Sequence, residues 1–164
     1  MDASGVAAAR FGPPVSPHLA AELAGAPPLE VPALAAYARA LGAGADVLVA
    51  EGVGGLLVPL SQTATVRDLA VELALPLVVA ARPGLGTINH TLLTLEAARA
   101  GGLTVAAVVL TPWPAAPGAM ERSNADTIAR LGDVPVATLP RAASGAPEDL
   151  AAAAAELPVG DWVG

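Results

Sequence analysis

A chain of 164 residues, 54% hydrophobic and 14% charged, is long enough for one domain with a proper core. Its net charge of −7 argues against a nucleic-acid surface, which needs clustered cations, and the absence of cysteine excludes disulfides and thiol chemistry. All eight basic residues are arginines, at positions 10, 39, 67, 82, 99, 122, 130 and 141, so any step needing a lysine ammonium must take it from elsewhere.

A mean hydropathy of +0.61 suggests a membrane protein until the runs are read. The longest uncharged run, between Arg99 and Glu121, is interrupted by Pro112, Pro114 and Pro117. Its apolar heart, Leu103 to Leu110, is too short to span a bilayer. The start, Met1-Asp2-Ala3-Ser4, lacks the basic and apolar stretches of a signal peptide. A soluble, cytoplasmic protein is expected.

Residues 1–15 carry Gly, Pro and Ala without period and read as a loose leading segment. Ser16 as N-cap and Pro17 at the first helical position predict a helix running to Gly25. His18, in its first turn, reads as a surface or supporting residue. After Pro27-Pro28, a helix over roughly Val31 to Leu41 puts Leu34, Tyr37, Ala38 and Leu41 on one buried face.

Asp46 to Ala50 is a short Val-rich run, the pattern of a strand buried on both faces of a parallel sheet. It ends on Glu51, followed by Gly52, Val53, Gly54 and Gly55. Open α/β sheets bind ligands at the carboxyl ends of their strands. Glycine lets a backbone approach a bulky anion, and Mg²⁺ takes few carboxylates while keeping phosphate oxygens and waters. On spacing alone, a plain glycine turn with Glu51 solvated describes the same residues equally well.

Leu56 to Leu60 is apolar, Ser61 to Thr65 is a polar link, and Val66 to Leu73 reads as a helix. Leu75 to Ala81 is the next buried strand, closed by Arg82-Pro83-Gly84. Gly84-Leu85-Gly86 then opens the longest helix, about Thr87 to Ala100. A glycine-rich turn entering a helix presents free N–H groups at the positive end of the dipole, which suits an anion. A tight turn capped by Thr87 or Asn89 is the alternative.

Leu103 to Leu110 is the third strand, ending in the proline-bracketed loop Thr111-Pro112-Trp113-Pro114. Trp113 either stacks on a flat ligand or closes the core. A polar helix, Met120 to Leu131, turns Ile128 and Leu131 inward, and Val134 to Leu139 is the fourth strand, followed by Pro140-Arg141. A last helix begins at Pro147-Glu148-Asp149. Strands alternating with helices over short connections predict a single α/β domain with a parallel sheet covered by helices on both faces.

Val49-Ala50-Glu51-Gly52-Val53-Gly54-Gly55, with Gly84-Leu85-Gly86-Thr87-Ile88-Asn89-His90-Thr91 downstream, resembles the dethiobiotin synthetases, a family with a P-loop NTPase fold. The resemblance runs from about Pro14 to Arg141. It implies ATP-dependent ring closure of 7,8-diaminopelargonate with CO₂, in biotin synthesis, by a homodimer using Mg²⁺. It implies that Glu51 helps to hold Mg²⁺ and that Gly52, Val53 and Gly54 contact the nucleotide. Gly86, Thr87, Ile88 and Asn89 would receive the substrate carboxylate. Thr111, Pro112, Pro140, Arg141 and Ala142 would line the nucleotide base, with Glu148 near it. Thr111 stands where the family usually has Asn, and one hydroxyl cannot reproduce the two-sided amide reading of adenine.

The phosphate loop of that family, a glycine-rich turn ending in Lys-Ser/Thr after the first strand, is absent here, as is any lysine. The expectation is a chain without its amino-terminal strand and phosphate loop, inactive or nearly so alone, and with an uncovered apolar sheet edge prone to association. The competing expectations are a non-catalytic relative binding a nucleotide, a small carboxylate or a partner, and a ParA-type or cobyrinate-type ATPase relative.

Overall fold

Pro17, at the first helical position after Ser16, begins α1 (Pro17–Leu23), and Pro32 near the start of α2 (Val31–Gly42) does the same. The computed structural model describes residues 5–163, so the first four residues of the leading segment lie outside the described residues. The described chain divides between Leu75 and Pro76 into two compact units, each taken by itself.

The first unit holds α1, α2 and α3 (Val66–Leu73). Along α2, Leu34, Tyr37, Ala38 and Leu41, expected to be buried, are only half-buried, and the fully buried residue is Ala35 beside them. Arg39 joins α2 to α3, its Nη1 lying 3.5 Å from Glu72 Oε1 while its Nη2 donates to the Glu72 main-chain carbonyl. At the start of α3, the Thr65 hydroxyl and the Thr65 N–H both donate to Asp68 Oδ2, each at 2.7 Å.

The expected first strand is a correction. Asp46 to Ala50 has no strand structure, and Val49 is 84% exposed. An extended segment becomes a buried strand only against ladder partners, because its N–H and C=O groups must be satisfied. No strand pairs with residues 46–50 among the described residues. Downstream, Leu60 N–H donates to Ala64 O at 2.8 Å and Val66 N–H to Val58 O at 2.9 Å, folding residues 56–66 back on themselves.

The second unit is a run of βα repeats: β1 (Leu77–Ala81), α4 (Thr87–Ala100), β2 (Val105–Trp113), α5 (Ala119–Gly132), β3 (Val136–Pro140) and α6 (Pro147–Ala154). The sheet is ordered β1-β2-β3, all parallel, each crossover made by a helix as parallel pairing requires. This is the expected α/β class, with three strands in place of four. Central β2 is buried continuously from Ala107 to Leu110. Edge strand β1, expected to be buried on both faces, alternates instead, with Val78 and Ala80 exposed.

The core joins Leu95 of α4, Val108 and Leu110 of β2, Ile128 of α5 and Val134. Trp113 is half-buried and packs against this cluster, so it helps to close the core. It also extends β2 three residues past the expected end by pairing with Pro140. On α5, the inward residues are Asn124, Ile128 and Gly132, spaced by four, whereas Leu131 is 55% exposed and does not face inward.

Candidate functional site at the carboxyl edge of the sheet

Parallel pairing brings the carboxyl ends of all three strands of the second unit to one edge. The register sets Ala81 beside Leu110, Leu110 beside Thr138, and Trp113 beside Pro140. The loops after β1, β2 and β3 therefore leave from the same side, where open α/β sheets receive ligands. Arg82 follows directly on β1 and Arg141 on β3, and both residues are exposed. The sequence reading gave Arg82 no role.

The first loop opens α4. Gly86 is its N-cap in the left-handed region, at φ 89° and ψ −12°, and no side chain caps the helix. Neither Thr87 nor Asn89 supplies the cap that a closed turn would have. The Thr87 Oγ1 lies instead 3.4 Å from Thr91 Oγ1, one turn on, and both threonines are buried. Asn89 is exposed. An α-helix leaves its first N–H groups without intrahelical partners. Thr87 N–H bonds back to Gly84 O at 3.3 Å and His90 N–H to Gly86 O at 3.2 Å. The Ile88 and Asn89 amides stand between them at the positive end of a helix of 14 residues.

Sequence reasoning missed the residue that holds this loop. Asn124 is 8% exposed, and its Nδ2 donates to Pro83 O at 2.8 Å and to Gly84 O at 3.3 Å. Its signal was available: it stands four residues before Ile128, on the inward line of a helix, where an amide needs a partner.

On the second loop, Thr111 is half-buried and joined to exposed Pro112 by a cis peptide bond. On the third, Pro140 and Arg141 are exposed and Ala142 is half-buried. The loop is tied to α6 by Ser144, whose hydroxyl donates to Asp149 Oδ2 at 2.5 Å and accepts from Ala146 N–H at 3.0 Å. Glu148 is exposed in the first turn of α6. The fold thus carries Gly86–Asn89, Thr111–Pro112 and Pro140–Ala142 to one edge, with Glu148 on the helix that follows.

Glu51, Gly52, Val53 and Gly54 belong to the first unit and are exposed on an irregular loop. Gly52 lies against the start of α3: a Cβ there would come 2.8 Å from Val66 Cγ1. Gly54 has φ 79°. Among the described residues no group of three or more His, Cys, Asp or Glu side chains gathers around a common point. Glu51 could therefore give a hard cation one carboxylate, leaving its other positions to ligand oxygens and water.

A family described as an AAA domain matches residues 3–148. The chain belongs to this AAA family. The match takes in Glu51 with its glycines and all three loops of the sheet edge, ending on Glu148. ATP-dependent dethiobiotin synthetase BioD of Mycobacterium sp. (strain KMS) is 48% identical over 126 residues, which cover 76% of this chain and 55% of that protein. The protein of the same name from Mycobacterium marinum is 42% identical over 158 residues, covering 96% of this chain and 65% of its own. That of Saccharopolyspora erythraea is 41% identical over 140 residues, 85% of this chain and 62% of its own. The resemblance read from the two glycine motifs is thereby borne out. This AAA chain spans 55% to 65% of the length of these three relatives. Among the described residues no helix is long and apolar enough to cross a membrane.

Proposed function

We propose that these residues belong to an ATP-dependent dethiobiotin synthetase, acting in the cytoplasm as a homodimer. The observation that carries the reading is the start of α4, which has no side-chain cap, in a chain 41% to 48% identical to relatives of that name. The turn Gly86, Thr87, Ile88 and Asn89 receives the carboxylate of 7,8-diaminopelargonate delivered by the neighbouring subunit, with the N–H groups of Ile88 and Asn89 donating to it. Gly52, Val53 and Gly54 are assigned to nucleotide contact within the first unit, and Thr111, Pro112, Pro140, Arg141, Ala142 and Glu148 to contact with the nucleotide base within the second, each unit taken by itself. Glu51 would offer a carboxylate to Mg²⁺, and the bound ion would offset phosphate charge.

In the reaction, one amine of the substrate adds to CO₂ to give a carbamate. A carbamate oxygen takes the γ-phosphoryl of ATP, releasing ADP. The second amine then attacks the carbamoyl carbon, expels phosphate and closes the ureido ring. This chain's contribution is to hold the carboxylate end of the substrate so that the two amines are presented in a fixed place. Phosphoryl transfer rests on positioning and charge neutralisation, commonly by a lysine, and these residues include none. The 164 residues alone therefore bind with little or no turnover. The same lack of lysine favours, as a second reading, a relative that only binds.

The test is fixation of labelled bicarbonate onto diaminopelargonate with ATP and Mg²⁺, alongside direct binding of diaminopelargonate. Binding with little fixation supports the proposal for this chain. Rapid fixation by the chain alone overturns the claim of low turnover, and failure to bind diaminopelargonate overturns the assignment.

A further inference from the structure

Among the described residues, the buried polar side chains are Thr87, Thr91 and Asn124, and all three lie at the opening of α4 or reach it. Burying an amide is costly without partners, so an asparagine kept on the inward line of α5 calls for a reason beyond packing. Its contacts supply one. Both hydrogen bonds run from Asn124 Nδ2 across about forty residues of sequence to successive loop carbonyls, Pro83 O at 2.8 Å and Gly84 O at 3.3 Å.

The effect of that grip follows from peptide geometry. In a planar trans peptide the C=O and the following N–H point in opposite directions. Turning the carbonyls of Pro83 and Gly84 toward Asn124 therefore turns the N–H groups of Gly84 and Leu85 away from it. Leu85, which carries one of these N–H groups, is 94% exposed. Glycines at 84 and 86 leave the loop free to flip its peptide planes, and a flip would set a carbonyl oxygen where the amides should be. A carbonyl there repels a carboxylate.

We infer that Asn124 is a positioning residue for substrate, an amide clamp that keeps the Pro83–Gly86 loop with its donors outward, so that the loop and the first turn of α4 form one carboxylate-binding cradle. The inference rests on the proposed site at α4. Asn124 itself touches no substrate; it acts through the loop.

The experiment is hydrogen–deuterium exchange of the 164-residue chain with and without 7,8-diaminopelargonate, followed by mass spectrometry of peptides covering residues 82–91 and residues 105–110. In the wild type, the ligand should slow exchange at 82–91, and its concentration dependence gives Kd. Asn124→Ala should raise Kd about tenfold, with faster exchange at 82–91 in the free protein and none of that change at 105–110. Asn124→Asp has the same shape without the N–H donors and should do the same, which keeps the test decisive if the alanine leaves too large a gap. A Kd within about twofold of wild type in the folded variants, or exchange that speeds up equally in both regions, overturns the clamp. No protection of 82–91 in the wild type overturns the carboxylate site itself, a result separate from the failure of Asn124.

Discussion

Val66 occupies the space that a side chain on Gly52 would need: a Cβ there would come 2.8 Å from Val66 Cγ1. Val66 is 8% exposed and β-branched, so it has little freedom to turn aside. Gly52→Ala should therefore displace the Glu51–Gly55 loop from α3, lowering stability by about 1–3 kcal/mol, as overpacking does. On the proposed function it also weakens nucleotide binding. Chemical denaturation checks the first effect and nucleotide titration the second; an unchanged midpoint would mean that the loop does not need the contact.

Gly86 presents a different constraint. A Cβ added there meets nothing closer than His90 Cε1 at 3.7 Å, an ordinary contact, but the backbone has φ 89°. Gly86→Ala should thus cost roughly 1–3 kcal/mol in conformational strain with no clash. Gly84 is the control, with open space around its Cβ position. Gly84→Ala should change stability by no more than about 0.5 kcal/mol. Equal losses at the two positions would show that backbone conformation is not what Gly86 contributes.

The contrast between these two glycines also marks how far the residues alone could be read. The turn Gly84-Leu85-Gly86 was enough to raise an anion-binding helix start beside a closed, capped turn, because a helix end is a local property. The absence of a cap was not legible, since Thr87 could as well have turned its hydroxyl to the backbone as to Thr91. Strands β1, β2 and β3 were visible as apolar runs, whereas Asp46 to Ala50 carries the same pattern and forms none. A strand depends on its neighbours, and a run of valines records only its side of that pairing. Asn124 was missed for a related reason: its partners at Pro83 and Gly84 lie 41 and 40 residues away. Leu131 was placed inward on hydrophobicity, yet the buried line of α5 passes through polar Asn124 and small Gly132.

Asp68 makes the chain's stability depend on pH in acid. The Thr65 hydroxyl, and then the Thr65 N–H, hold its carboxyl below the ordinary value of 3.8, with the Arg67 charge adding to them against a small opposing effect of burial. The folded form thus favours the carboxylate. Its stabilisation is fully present above the ordinary carboxylate range and is lost as pH falls through the lowered folded value. Comparing wild type with Asp68→Ala from pH 6 down to pH 2.5 should show a constant difference in unfolding midpoint until about pH 4, then a shrinking one. A difference that grows toward low pH would reverse the assigned sign.

Glu51 separates the metal from the fold. It is exposed on a loop with no regular structure, so Glu51→Gln, equal in size and neutral, should alter stability by less than about 0.5 kcal/mol. A hard cation distinguishes the two side chains sharply, because an amide oxygen lacks the carboxylate's charge. On the proposed function, Mg²⁺ should tighten nucleotide binding to the wild type and do so far less in the glutamine variant, with metal-free affinity preserved or slightly improved by the lost repulsion between acid and phosphate. Titrating nucleotide with Mg²⁺ and with EDTA in both proteins reads this directly. The same Mg²⁺ increment in both would remove Glu51 from the metal and leave the glycine turn as the loop's only contribution.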